Sequence, residues 1–546
     1  MLPRTLPKEV DTVIVGNGPS ALILSFILSG NIPYYNPAKP HPDPILQKKI
    51  LRSPSLLELN VRELTAHFAA SRLSYSTQAL PINALLDTLI RPLADTDPGE
   101  YDSCVEWRYE KDRRVTHLVL GNTAQPGGQW ADDAASAGST IGTLSYAEML
   151  SLPGYTIEQH FSKIRQHPPA ECSRPTRREV AEYLAAYPKA VNIEDFIFTH
   201  VNVSEVSRVE RGFHIGSHGL YCKHLVLASG VFSNLIPPPT YLRPLATACQ
   251  LKRRTDLPIL VVGSGFTAAD VILTSAPGTK IIHVFKWLSD RPSPLQACHP
   301  RAYPEYAGVY RQMKVAAKGM LGMQAVFSPL RHKKTNPFFE QRGWERDYEG
   351  FPNVSITNVV LLDDKALVTL ETNDGRIFRR EVANLEYVVG RRGSLKYLDT
   401  RLMMQVLDGS EAHATGAHEI SSRTLRSKVE ENLEVAPGVF VIGSLTGDSL
   451  IRFAFGGCIF AASEIIKQVG DRSEEVPIDA QSGVANPDME RSPHPLQWFD
   501  TTNDYIITKG HSGLELEQKE NHSGSVDLEM AKSELWLSPG WTLEVS

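Results

Sequence analysis

Two stretches of the chain place glycines at a spacing suited to a diphosphate ligand. The first is Val13-Ile14-Val15-Gly16-Asn17-Gly18-Pro19-Ser20-Ala21, and the second runs Ile259-Leu260-Val261-Val262-Gly263-Ser264-Gly265-Phe266-Thr267-Ala268-Ala269-Asp270. Each reads as an apolar strand, then Gly-x-Gly-x-x-Ala, then a helix. The first glycine permits a sharp turn out of the strand, and the second lets backbone approach a diphosphate. The small third residue lets helix and strand pack closely, while the N–H groups of the new helix face the anion. Gly16, Gly18, Pro19 and Ser20 are therefore candidate contacts to one dinucleotide. Gly263, Ser264, Gly265, Phe266 and Thr267 are candidates for another. A merely structural turn is the alternative for each.

The residues downstream of each turn bear on which nucleotide would sit there. About 20 residues on, a ribose is commonly held by an acid. After the first turn that region reads Ile32-Pro33-Tyr34-Tyr35-Asn36, with no carboxylate before Asp43. Asn36 is the neutral candidate for that hydrogen bond. After the second turn comes His283-Val284-Phe285-Lys286-Trp287, with Arg291 a few residues later. Lys286 and Arg291 suit the 2′-phosphate of NADPH; the plainer reading makes them solvated surface charges.

Further motifs fall between and after the turns. Gln125-Pro126-Gly127-Gly128-Gln129-Trp130 can bring backbone close to a flat ring, with Gln129 and Trp130 bonding to it and stacking on it. Near the C-terminus a strand, Val439–Ile442, leads through Gly443 to Gly447-Asp448. A helix beginning near Phe455 comes next. There Asp448 could hold ribityl hydroxyls, with the helix dipole favouring a reduced, anionic flavin; alternatively Asp448 only caps that helix. Two dinucleotide sites in one chain imply FAD and NADPH as cofactors, with hydride passing between them. A disulfide reductase has the same two sites but needs close cysteines. Cys104, Cys172, Cys222, Cys249, Cys298 and Cys458 are too widely spaced. No Gly-x-Ser-x-Gly elbow and no metal-ligand set is found, so no catalytic residue is assigned and no metal is expected.

Short β-branched runs must position these turns: Thr12–Val15, Leu225–Leu227, Ile259–Val262 and Val439–Ile442. Continuous apolar runs of this length predict strands buried on both faces of a parallel sheet. The fold class is α/β, with two Rossmann-like dinucleotide-binding domains, the NADPH domain inserted into the FAD domain. The expected boundaries are 1–240 for the first part of the FAD domain, 241–380 for the NADPH domain and 381–470 for the second part. Residues 471–546 form an acidic, largely disordered tail, which could carry protein partners. Leu225-Val226-Leu227-Ala228-Ser229-Gly230 and Leu385-Glu386-Tyr387-Val388-Val389-Gly390-Arg391 read as the outgoing and returning crossovers. Ala79–Leu93 predicts a helix, as does Arg177–Tyr187 with Thr176 as N-cap and Pro188 as its stop. Residues 355–372 alternate as a hairpin does.

Composition narrows the partners. The 546 residues carry 56 basic and 62 acidic side chains, a formal charge of −6. That balance gives no general attraction for nucleic acid or anionic lipid. Cysteine is too sparse for a disulfide scaffold, which suggests reduced thiols and an intracellular, cytoplasmic or nuclear location. The N-terminus has no signal-peptide pattern. Val10–Leu28 is apolar, but Gly16 to Pro19 interrupts it, so no membrane span is expected.

Taken together, Gly-x-Gly-Pro-Ser-Ala, Gly-Gly-Gln-Trp, the Arg174-Pro175-Thr176-Arg177-Arg178-Glu179-Val180 stretch and Gly-Ser-Gly-x-x-Ala-Ala-Asp resemble the class B flavin-containing and N-hydroxylating monooxygenases. The string Asn31-Ile32-Pro33-Tyr34-Tyr35-Asn36-Pro37 resembles the oxidative-stress-induced growth inhibitor family within that superfamily, over about residues 8–470. The resemblance implies an NADPH-dependent FAD monooxygenase that forms a C4a-hydroperoxyflavin from O2 and oxygenates an unknown substrate. It also implies roles in cell growth, cell death or cytokinesis, with the midbody as one location. Two patterns depart from the superfamily. Ser233-Asn234-Leu235-Ile236-Pro237-Pro238-Pro239 replaces its Phe-x-Gly-x-x-x-His fingerprint, and Val388-Val389-Gly390 replaces Ala-Thr-Gly. The alternative is a weakly catalytic or non-catalytic flavoprotein-like regulator acting through protein partners.

Overall fold

The computed structural model describes residues 5–71, 79–93, 102–132, 140–165, 173–248, 257–320, 343–362, 365–408 and 418–473. The expected acidic tail lies outside the described residues from 474 onward.

The first apolar run forms the strand Glu9–Val15, which lies near the centre of a large sheet. Parallel to it on one side run His117–Leu120 and then Ile197–Phe198. On the other side are Leu220–Leu227 and Val439–Val441. Helix Pro19–Leu28 comes after the first strand, and all eight residues from Ala21 to Leu28 are buried. A helix apolar on every side belongs either in a core or in lipid. Here it packs in the main core with Val13, Ile14, Leu225 and Val226. Among the described residues no helix is long and apolar enough to cross a membrane.

The chain leaves this sheet after Leu227 and builds a second one from Ile259–Val262, Ile281–Phe285, Tyr348–Pro352 and Asn384–Tyr387, all parallel. It then returns to supply Val439–Val441 to the first sheet. The two crossovers run side by side, with Arg391 opposite Leu235 and Arg392 opposite Asn234. The segment between them is thus an insertion in the first α/β layer, as its order in the sequence implied. The alternating residues 355–372 give Ser355–Leu361 and Ala366–Glu371, and Ile377–Val382 adds a third antiparallel strand. Its apolar face, Ala366, Val368 and Leu370, covers Leu260, Ile282 and Val284 of the second sheet.

Two helices refine the expectations. Pro81–Ile90 falls inside the predicted span. Helix Arg177–Ala190 has Thr176 and Glu179 in a reciprocal capping box, but it runs through Pro188 instead of ending before it. Pro188 has no N–H to offer the Leu184 carbonyl, and beyond it Val191 N donates to the Tyr187 carbonyl and Ile193 N to the Pro188 carbonyl.

Candidate functional site

Gly16 leaves the first strand with φ of +113°, and a Cβ on it would lie 2.4 Å from the Ala228 carbonyl oxygen. Only glycine fits there, because the turn must fold back against the end of the neighbouring strand. Gly18 is different. It has an ordinary φ of −75° at the helix N-cap, and a Cβ would meet nothing within 4 Å. The space beside it is open, as a cradle for a diphosphate must be.

Two other segments close on this turn. The Asn17 amide donates to Thr123 Oγ1 at 2.8 Å, and Gly127 N donates to the Asn17 carbonyl at 2.9 Å. A Cβ on Gly128 would lie 3.0 Å from Gly18 Cα, so the Gly-Gly-Gln-Trp turn rests directly on the first glycine motif. From the other side, a Cβ on Gly443 would lie 2.5 Å from Ser20 Oγ, and the Cys458 thiol donates to the Ser20 carbonyl at 3.2 Å. The structure thus brings Gly16, Gly18, Pro19, Ser20 and Gly128 together, with Gln129 and Trp130 adjoining. Trp130 packs half-buried against the main core, and the Gln129 carbonyl accepts a hydrogen bond from Arg177.

Two expected residues fall elsewhere. Asn36 comes after the strand Asn31–Tyr35, which pairs with Val105–Tyr109 in a separate antiparallel ribbon and not with Glu9–Val15. Pro33, in the middle of that strand, has no N–H for a central ladder. Asn36 instead accepts from Ala38 N in a local turn. The strand beside the first turn is His117–Leu120, so residues 31–114 are an excursion between helix Pro19–Leu28 and its expected next strand. The position after that strand is Gly121, where a Cβ would lie 2.1 Å from Asn17 Cγ. No acid can occupy it.

Asp448 is the second correction. It is buried, with Oδ2 accepting from Leu80 N at 2.8 Å and Asn83 Nδ2 at 2.7 Å, and Oδ1 2.7 Å from Arg426 Nη1. Those bonds tie it to the excursion and leave a ribityl hydroxyl little to share. It does not cap the following helix either: Gly457 N donates to Asn83 Oδ1 at 3.0 Å. Gly443 faces the first turn, and Ser444 beside it reaches the outgoing crossover. Ser444 Oγ accepts from Val231 N at 3.2 Å.

The second turn repeats the logic of the first. Gly263 has φ of +153°, and its Cβ would lie 2.4 Å from the Val388 carbonyl oxygen, just past the neighbouring strand. Beside Gly265 the nearest atom to a Cβ is Pro294 Cγ at 4.0 Å. Phe266 and Thr267 open the helix Phe266–Thr274. Underneath, His283 is fully buried, and burial pushes its pKa down to about 4. The neutral ring donates from Nε2 to the Gly263 carbonyl at 2.7 Å, since a carbonyl can only accept, and its Nδ1 accepts from the Tyr348 hydroxyl at 2.8 Å. Ser264 Oγ accepts from Lys286 N at 2.9 Å, and Ser293 donates to the Ser264 carbonyl at 2.7 Å. Lys286 lies directly after the strand next to the turn, and both it and Arg291 are exposed.

Between the turns lie two residues that the motifs contain but to which the sequence assigns no role. Arg177, which reaches Gln129, is held below the usual arginine range, at about 10, by burial and by the charge of Arg391. Asp270, on the helix after the second turn, bonds to the Tyr306 hydroxyl at 2.9 Å, and burial raises its pKa to about 6. Spacing along the chain carries no signal for this grouping, since its members come from three distant segments. Among the described residues no group of three His, Cys, Asp or Glu side chains could hold a metal ion.

A two-sheet α/β protein with a glycine turn at the head of each sheet is the class these features define. Curated homologues span most of the chain. The oxidative stress-induced growth inhibitor 1 of Mus musculus is 27% identical over 506 residues, covering 84% of this chain and 96% of its own. The oxidative stress-induced growth inhibitor 2 of Homo sapiens is 25% identical over 505 residues, covering 82% and 91%. They are the inhibitors whose resemblance the sequence carries. No family model matches. Among solved structures, a flavin-containing monooxygenase from Stenotrophomonas maltophilia is 14% identical with a TM-score of 0.42, covering 85% of this chain and 99% of its own. The L-lysine 6-monooxygenase from Pseudomonas syringae is 13% identical with a TM-score of 0.40, covering 85% and 100%.

Proposed function

We propose that the chain binds FAD at the turn around Gly18 and NADPH at the turn around Gly265, and works as an NADPH-dependent monooxygenase on O2 and an organic substrate. The observation that carries this reading is the pair of open glycine faces. In each motif the first glycine is pinned against a neighbouring carbonyl, while a Cβ on the next, at a helix N-terminus, would meet nothing closer than 4.0 Å.

The residues present fit the two cofactors. Gly18, Ser20, Gly128, Gln129, Trp130 and Ser444 would hold the FAD. Gly265, Phe266, Thr267, Lys286 and Arg291 would hold the NADPH, the two cations taking the 2′-phosphate. FAD, when bound, supplies the redox chemistry, accepting a hydride and delivering electrons to O2. The protein's share is placement. Arg177 steadies the Gln129-Trp130 turn through the Gln129 carbonyl, and His283 holds the second turn through the Gly263 carbonyl. The growth-inhibitor homologues extend the proposal to a role in growth regulation inside the cell, through O2-dependent chemistry.

A second reading, a nucleotide-binding regulator that turns over slowly, is favoured by Gly121 and Asp448. A side chain at position 121 would collide with Asn17, and Asp448 is already bonded to Leu80 N, Asn83 and Arg426. One experiment separates the two. Purified protein reconstituted with FAD should show the visible bands of a bound flavin and bleach when NADPH is added without oxygen. Colour that never bleaches supports the regulator; failure to retain FAD at all refutes both.

A further inference from the structure

Arg174 bonds to both sides of the divide between the two α/β layers. Its Nε donates to the Thr143 carbonyl at 2.6 Å and its Nη2 to the Gly142 carbonyl at 3.1 Å. Both acceptors lie in a segment zipped to residues 173–177, where Thr143 N donates to the Pro175 carbonyl and Gly142 bridges Thr176. Across the divide, Nη1 donates to the Ala302 carbonyl at 2.9 Å, and Nη2 lies 2.6 Å from Glu305 Oε1. Ala302 and Glu305 stand at the start of helix Pro304–Met320, whose Val309 and Met313 belong to the core of the second layer.

The contacts around it are just as specific. The guanidinium carbon sits 4.5 Å over the ring of Tyr303, whose hydroxyl donates to the Leu144 carbonyl at 2.8 Å. Ile141 and Leu144 pack on the second core. The Arg174 and Glu305 side chains are only 14% and 12% exposed, so water screens the pair little. One residue further along, Tyr306 holds Asp270 on the helix that starts at the second turn. Three residues after Arg174, Arg177 holds Gln129 beside the first turn.

We infer that Arg174 is a positioning residue that sets the approach of the NADPH turn to the FAD turn, and so the gap a hydride must cross. The inference rests on the proposed function. A planar fork with several fixed donors meets three carbonyls and a carboxylate from two directions, which lysine's single ammonium cannot reproduce. Hydride transfer demands reacting atoms close and aligned, so loosening this contact should slow the transfer while each cofactor still binds its own turn.

The test compares full-length wild type with Arg174→Lys and Arg174→Ala. Four quantities are measured: FAD content, NADP+ affinity, the rate of anaerobic bleaching at saturating NADPH, and amide hydrogen exchange. Both variants should keep FAD content and NADP+ affinity within threefold of wild type. Their bleaching rate should fall at least tenfold. Exchange should speed up in 141–147 and 302–306 but not in the strands Glu9–Val15 and Ile259–Val262. Wild-type bleaching in Arg174→Lys, or unchanged exchange in those two segments, overturns the inference. A wild-type protein that takes up FAD and bleaches while the variants match it leaves the proposed function standing; a wild type that takes up no FAD removes the function itself. Exchange that rises in the core strands too marks general unfolding and also counts against a positioning role.

Discussion

Two glycines two residues apart should respond in opposite ways to the same added methyl group. In Gly16→Ala the new Cβ lies 2.4 Å from the Ala228 carbonyl, at φ of +113°. The backbone strain costs about 1–3 kcal/mol, and the overlap adds roughly 1–3 kcal/mol more. The protein should be destabilised by several kcal/mol, and flavin binding should be lost with the fold around the turn. In Gly18→Ala the methyl enters empty space at φ of −75°, so stability should hold or rise by about 0.4–1 kcal/mol as the unfolded chain loses freedom. A diphosphate that needs that space should then bind more weakly by about 1–3 kcal/mol, some 5- to 150-fold. The assay pairs denaturant unfolding of the FAD-free proteins with FAD titration. Full FAD affinity in a stably folded Gly18→Ala protein would refute the reasoning, because nothing would then be using the space. Gly265→Ala is the matched control: it should spare FAD and weaken NADPH.

Replacing both Lys286 and Arg291 with alanine should weaken NADPH by about 1–3 kcal/mol more than NADH; equal losses in coenzyme titrations would remove the 2′-phosphate assignment. Asp87 joins two guanidiniums, with Oδ1 2.9 Å from Arg91 Nε and Oδ2 2.9 Å from Arg452 Nε, and all three side chains are under 10% exposed. Asp87→Asn should therefore cost about 3–5 kcal/mol in denaturant unfolding, by stranding buried charge; a loss below about 1 kcal/mol would show that water reaches the site. Burial holds His41, His117 and His283 at about 4, below the unfolded value of 6.5. Between those values the unfolded chain binds the extra protons, so stability should be constant from these groups above pH 6.5 and fall as pH drops towards 4. The slope is about 1.4 kcal/mol per pH unit for each histidine, and a flat profile from pH 6.5 to 5 would contradict their neutral burial.

The strands and turns are readable from the sequence because their signal is local. A β-branched run ending in Gly-x-Gly must turn wherever it folds, and both turns stand where the spacing puts them. The alternating residues 355–372 and the Thr176 cap are readable for the same reason. What escapes is long-range. Counting about 20 residues from Gly16 points to Asn36, but the chain inserts residues 31–114 before its next parallel strand. The clue is Pro33, which cannot sit in a central strand. Asp448 misleads in a similar way: a Gly-Asp after a strand looks like a ligand contact, but the partner that claims it, helix Pro81–Ile90, comes from the excursion. Arg174 and Arg177 stand out in the sequence only through a family resemblance, since no spacing rule tells that a guanidinium will reach another layer.

Crystals grown with FAD and NADP+ offer the most direct measurement. Two diphosphates should appear in the electron density, one over the backbone at Gly18 and one over Gly265, with the flavin and nicotinamide rings converging near Gln129 and Arg177. Density for a dinucleotide anywhere else, or ordered protein with both glycine faces bare at saturating cofactor, would contradict the assignment of the two turns.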